Sequence, residues 1–175
     1  MSDIAVVYQS KYGSTEKYAK WLSEELNTDL LKRKDIKIND LIPYDTLVYC
    51  GGLYAGGILG FSLIKRNFER LKQKRIIVVA VGATLKKDTA KEELKKQNLA
   101  PEMLDKVEFH LLRGGLNYKK MNPLDRFLMY LSVKSIKSKN PEDLDDDSKG
   151  MLATYGKVVD FTNKKHIMPI VESLI

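Results

Sequence analysis

The chain has 175 residues, 43% hydrophobic and 30% charged, with a formal net charge of +7 and an isoelectric point near 9.3. That length suits one domain with a core that needs no covalent staples. Cys50 is the single cysteine, which excludes an internal disulfide framework and fits a reducing cytoplasm. No uncharged apolar stretch approaches the ~20 residues of a membrane-spanning helix, and no charged-then-apolar leader opens the sequence. The expectation is a cytoplasmic protein, at most peripheral to the inner face of the cell membrane.

Ile4-Ala5-Val6-Val7-Tyr8 is a continuous apolar run, the pattern of a strand covered on both faces. Residues 14–26 read as a helix with Tyr18, Leu22 and Leu26 on one stripe. Leu30-Leu31 begins an outer strand, and residues 46–50 form a third, ended by Gly51-Gly52. Residues 61–71 read as one helix, and residues 75–81 as the clearest buried strand. A charged helix over 90–97 and a short one over 101–106 precede a fifth strand at 107–112. A helical pattern runs from Pro123 to about Ser138. The last long helix is expected to start near Asp147 and to carry Tyr155, Val158, Val159 and Phe161. Strands alternating with helices predict an α/β fold, a doubly wound open sheet of five parallel strands with helices on both faces. The whole chain, 1–175, reads as a single domain with an insertion at about 114–146.

Ligands of such sheets bind beyond the carboxyl ends of the strands. The first strand runs into Ser10, Lys11, Tyr12, Gly13, Ser14 and Thr15. Three hydroxyls, the free N–H groups of a helix start and its positive dipole end suit a phosphate dianion there. Gly13 lets the backbone turn tightly toward it. The plainer alternative is that Ser14 only caps the helix. No Gly-Lys-Ser/Thr closes the loop, so a Walker-type hydrolase is excluded.

Residues 6–16, Val-Val-Tyr-Gln-Ser-Lys-Tyr-Gly-Ser-Thr-Glu, resemble the phosphate-loop signature of the flavodoxin family, hydroxyl-x-x-Gly-x-Thr on a strand–loop–helix. Tyr12 stands where short flavodoxins carry threonine. The resemblance implies a flavodoxin-like sheet of order 2-1-3-4-5 and one FMN. Its phosphate would be held by Ser10, Ser14, Thr15 and the amides of Lys11 to Thr15, without need of the Lys11 cation. Residues 51–60 hold five glycines in ten, costly to order unless backbone approaches a ligand or adopts positive φ. The resemblance places Leu53, Tyr54, Ala55, Gly56 and Gly57 beside the isoalloxazine ring, with Gly56 or Gly57 supplying the peptide that turns toward N5 on reduction. Tyr54 either stacks on the ring or packs under the loop, and the whole segment also reads as a flexible loop. Gly82, Ala83, Thr84 and Leu85 take the place of the second flavin loop. They lack the aromatic residue flavodoxins often stack there, leaving Leu85 or a residue of the insertion to replace it.

Residues 113–129 occupy a position where a short flavodoxin goes nearly straight to its last helix. The Gly-x-Leu-x-Tyr segment, then Asp125-Arg126 followed by apolar residues, resembles the menaquinone-dependent protoporphyrinogen IX dehydrogenases. That resemblance implies electron passage from a porphyrinogen to a quinone, in heme biosynthesis. Phe127-Leu128-Met129-Tyr130-Leu131 is apolar on almost every side, and residues 117–139 carry six bases against one acid, Asp125. A wide apolar face with basic edges at 119–137 suits a lipid interface or a cover over a quinone or porphyrin. Two alternatives stay open: Leu124, Phe127, Leu128 and Leu131 pack onto the core, or the face joins two copies in a homodimer. The charge run itself fits a solvated face, an anionic lipid surface or an acidic partner.

No other residue points to side-chain catalysis. His110 and His166 have no partner at catalytic or metal-ligand spacing, and Cys50 reads as a small buried hydrophobe. The acids at 142–147 lack the glycine and closing glutamate of a calcium loop. No metal is expected, and the flavin would carry the chemistry. An electron carrier between redox proteins is the alternative, though carrier flavodoxins are typically acidic. A phospho-receiver would need carboxylates where this chain has Gln9-Ser10 and Gly51-Gly52, and no basic–aromatic motif suggests nucleic acid.

Overall fold

The computed structural model describes residues 3–83 and 88–175. The apolar runs form β1 (Ile4–Gln9), β2 (Asp29–Lys32), β3 (Thr46–Tyr54), the two-residue β4 (Gly57–Ile58), β5 (Arg75–Gly82) and β6 (Val107–Arg113). Five of them make a parallel sheet in the order β2-β1-β3-β5-β6, and β4 folds back antiparallel on the end of β3. With β4 set aside, this is the expected 2-1-3-4-5 order. Register brings Val7 beside Leu31 and Tyr49, Tyr49 beside Val78, and Val78 beside Phe109. Alternation then sends Val7, Tyr49, Val78 and Phe109 to one face and Val6, Val48, Cys50 and Val79 to the other. Both faces are buried, so these strands read as unbroken apolar runs.

One face is covered by α2 (Ser62–Arg66) and α3 (Phe68–Leu71), which bring Ile64, Phe68 and Leu71 to it, with Phe61 just before α2. The other is covered by α1 (Ser14–Leu26) through Tyr18, Ala19 and Leu22. The expected single helix over 61–71 is two pieces. The Asn67 side chain donates to the Leu63 carbonyl at 2.8 Å, and its backbone leaves helical geometry at φ −113°, ψ 19°. Such side-chain bonding is how asparagine competes with a helix ladder. The helix expected over 101–106 is a 3₁₀ turn at Pro101–Met103.

α4 (Asp88–Asn98) precedes β6, and α5 (Pro123–Lys137) follows the short β7 (Gly115–Asn117). The last third departs most from the sequence reading. Instead of one long helix, α6 (Asp146–Thr154) stops before Gly156, whose φ of +74° no ordinary helix residue adopts. The β-branched pair that follows forms β8 (Val158–Asp160), antiparallel to β7 with Leu116 opposite Val159. Tyr155, Val158, Val159 and Phe161 therefore lie outside any helix. α7 (Met168–Glu172) joins α1 on its face of the sheet through Ile170 and Val171.

α5 turns Asp125, Val133 and Ile136 inward, with Met129 half-buried between them. Leu124, Phe127, Leu128 and Leu131 are 62%, 55%, 44% and 43% exposed. This overturns the packing of those four onto the core. Among the described residues, no helix is long and apolar enough to cross a membrane.

Candidate functional site

β1 leaves the sheet at Gln9, and the loop behind it closes on itself: the Gly13 N–H donates to Ser10 Oγ at 3.0 Å. Gly13 holds φ +103°, and nothing lies within 4 Å of where a Cβ would stand, so backbone angle rather than space demands glycine here. Gly13 is also the residue that caps α1, with no side-chain cap, and its carbonyl accepts the first helical bond from the Lys17 N–H at 3.0 Å. The N–H groups of Ser14, Thr15 and Glu16 thus open the helix with no acceptor within it. Ser14 does not cap. Its Oγ accepts the Gly115 N–H at 2.9 Å and ties the loop to the start of β7, leaving its own hydroxyl hydrogen to donate. Thr15 is 3% exposed, and a Cβ at Gly52 would come within 3.2 Å of its Oγ1.

The glycine-rich segment is a hairpin rather than a slack loop. β3 runs through Gly51 and Gly52 to Tyr54, then turns through Ala55 (φ +48°) and Gly56 (φ +79°) into β4. Positive φ at both central residues is the requirement of a type I′ turn. Asn98, at the end of α4, grips this hairpin. Its Nδ2 donates to the Gly56 carbonyl at 2.9 Å, and its Oδ1 accepts the Ile58 N–H at 2.9 Å. Turning the Gly56–Gly57 peptide would break the first of these bonds.

The residue that draws the two loops together is Asp125, which the sequence marked as the lone acid of a basic run and half of an Asp-Arg pair but not as a partner of these loops. Asp125, 7% exposed, accepts from the Tyr12 hydroxyl and from the Tyr54 hydroxyl at 2.7 Å, and pairs with the Lys11 ammonium at 2.7 Å. Asn122 caps α5 by accepting the Asp125 N–H at 2.8 Å, and its own N–H reaches the Tyr12 oxygen at 3.4 Å. Burial pushes the Asp125 carboxyl up, but Lys11 and the two phenols outweigh it and hold the group below its ordinary value. Burial and the bond to Asp125 raise the Tyr12 phenol. Lys11 lies 3.9 Å above the centre of the Tyr54 ring, and its hydrogen bond to Asp125 keeps it protonated. The cluster is one carboxylate against one ammonium. The charge of Lys11 is therefore spent on Asp125.

These elements enclose a cavity of about 680 Å³. Of the residues singled out from the sequence, Ser10, Lys11, Tyr12, Ser14, Thr15, Leu53, Tyr54, Ala55, Gly56, Gly82 and Ala83 line it. Gly13 and Gly57 shape its loops without lining it, and Thr84 and Leu85 lie outside the described residues. The insertion adds Leu116, Met121, Asp125, Leu128 and Met129, and α6 adds Met151. The sequence marked the insertion only as a segment, as a candidate cover or a source of a stacking residue; the β7–β8 pairing and the Asp125 contacts bring these particular side chains over the loops. One end of the cavity offers helix-start amides and hydroxyls, and the rest is mainly apolar apart from the Lys11–Asp125 cluster and Ser132. That donor set fits an anionic phosphate joined to a flat aromatic ring system, which is the form of FMN.

His110 pairs with Glu108 at 2.7 Å and His166 with the Tyr18 hydroxyl at 2.8 Å, both away from the cavity. Among the described residues no cluster of three His, Cys, Asp or Glu is placed to hold a metal ion.

A family model described as a flavodoxin domain matches residues 5–143. No curated protein sequence matches the chain. Among solved structures, the Trp repressor binding protein from Bacillus subtilis is similar at 17% identity and a TM-score of 0.47, over 63% of this chain and 82% of that one. Two-electron reduced flavodoxin from Megasphaera elsdenii is similar at 14% identity and a TM-score of 0.44, over 62% and 85%. The flavodoxin, WrbA-like protein from Agrobacterium tumefaciens is similar at 18% identity and a TM-score of 0.43, over 62% and 82%.

Proposed function

The chain belongs to the flavodoxin-domain family, and we propose that it is an FMN-dependent redox enzyme whose flavin phosphate sits on residues 10–15. The observation that carries this reading is the uncapped start of α1 opening into the cavity beside the hairpin of β3 and β4. FMN bound there would supply the one- and two-electron chemistry. The amides of Ser14, Thr15 and Glu16, with the hydroxyls of Ser10 and Thr15, hold the phosphate by donation. Lys11 stays on Asp125. The hairpin, with Gly82 and Ala83 opposite, flanks the ring. Asp125 draws Tyr12 and Tyr54 against α5, which walls that side of the cavity and limits water there.

The donor we favour is a porphyrinogen, with a quinone as acceptor. The support is the pattern of residues 113–129 and the apolar part of the cavity they build, where Leu116, Met121, Leu128 and Met129 suit a flat apolar molecule. The alternative is a flavodoxin-type electron carrier, which the basic charge disfavours.

Titration of the purified protein with FMN, followed by quenching of flavin fluorescence, tests the cofactor. Thr15→Ala is expected to weaken FMN binding by about tenfold, the worth of one hydrogen bond to a charged group. Absence of binding, or an unchanged affinity in Thr15→Ala, would sink the phosphate assignment. Anaerobic oxidation of protoporphyrinogen with a menaquinone then tests the substrate. If the FMN-loaded protein fails there but reduces a redox protein, the carrier reading takes its place.

A further inference from the structure

α5 is amphipathic in the reverse sense. Its inward positions are Asp125, Met129, Val133 and Ile136, and the stripe directly opposite them is Leu124, Phe127, Leu128 and Leu131. Among the described residues, five of the eight exposed large hydrophobic side chains belong to this one helix, the fifth being Tyr130 at 48%. A monomer rarely leaves so contiguous an apolar surface in water. Within residues 117–139 the exposed charges have one sign, and acids return only at Glu142. Arg126, Lys134 and Lys137 fall by helical spacing on one flank, Lys119 and Lys120 precede the helix, and Lys139 follows it. The lone acid of the segment, Asp125, points inward and is neutralised by Lys11. The outer surface of residues 117–139 therefore presents bases without an acid.

We propose that α5 docks on an anionic lipid bilayer, lying in the plane of its interface. Leu124, Phe127, Leu128 and Leu131 enter the acyl boundary, and the surrounding bases meet the headgroups. The helix, 15 residues long and with most positions charged or polar on its flanks, lies on the surface and does not span it. Leu128 and Leu131 belong both to the outward stripe and to the cavity wall. The cavity therefore opens at the lipid contact. Resting on the proposed function, this means a bilayer-dissolved apolar donor or acceptor reaches the flavin site without crossing water.

The test is co-sedimentation of the FMN-loaded full chain with vesicles of phosphatidylcholine, alone or mixed with phosphatidylglycerol. Binding is expected to the mixed vesicles, weakening as salt rises. Leu124→Ser with Phe127→Ser, both outside the cavity wall, is expected to lower partitioning by about tenfold or more. Lys134→Glu with Lys137→Glu is expected to lower it by at least about thirtyfold. Both variants should keep the flavin absorbance of the parent, which reports intact folding. No binding to mixed vesicles, or partitioning unchanged in both variants, overturns the proposal. So does a dimer that Leu124→Ser with Phe127→Ser dissolves while vesicles stay unbound. A chain that binds mixed vesicles but takes up no FMN on titration supports the docking and overturns the cofactor reading alone.

Discussion

Asp125 is a buried carboxylate that stays charged because three donors converge on it. Lys11 supplies a full charge, and Tyr12 and Tyr54 each supply a hydroxyl. The carboxyl sits below its ordinary value in the folded chain, so its contribution to stability is complete above the ordinary carboxylate range, near pH 4. That contribution is lost as pH falls through the folded value. Asp125→Asn cannot accept from all three partners, and we expect it to cost about 1–3 kcal/mol at neutral pH. Urea unfolding measured from pH 7 to pH 3 should show a shallower acid dependence in the variant; parallel profiles would mean the cluster contributes nothing. The sequence marked Asp125 as the one acid in a basic run and as part of the Asp-Arg pair, but not as the hub of a cluster. Its partners lie 71 to 114 positions away, beyond the reach of any local pattern.

At the scale of elements, the hairpin of β3 and β4 carries a local conflict. Ala55 holds φ +48°, a region that costs an alanine about 1–2 kcal/mol and an asparagine less. Ala55→Asn makes an Asn-Gly turn, the preferred type I′ pair, and should stabilise the chain by about 0.5–1 kcal/mol. A rise in the urea midpoint checks it. The hairpin was hidden in the sequence because five glycines in ten residues carry no alternation to mark a strand. α5 offers the opposite case, a helix whose existence was plain and whose facing was not. Apolar residues occur all round it, so periodicity could not choose the inward side. Val133→Ala should cost about 1–3 kcal/mol as a buried truncation. Leu124→Ala should stay within about 0.5 kcal/mol, because its side chain already faces water. Equal losses for the two would reverse the orientation of the helix.

For the molecule as a whole, the central strands are covered on both faces, and Cys50 reports on that cover. It is fully buried, and burial pushes its thiol far above the ordinary range. Labelling by a thiol reagent should therefore follow global unfolding, with a rate that tracks stability across denaturant; rapid labelling of the folded protein would contradict the packing. The parallel sheet and its buried strands were legible in the amino-acid order, because double-sided burial writes itself as unbroken apolar runs. That order also marked the place of the candidate phosphate loop, since a hydroxyl-rich turn between strand and helix is a local feature. The use made of residues 113–161 depends on long-range contacts. A chain that is apolar all round has no preferred side until something packs on it, and Gly156 and the β7–β8 pairing do not act until distant segments meet. Long-range contact turned Asp125 inward to join two loops and left the leucines and phenylalanine of α5 facing out.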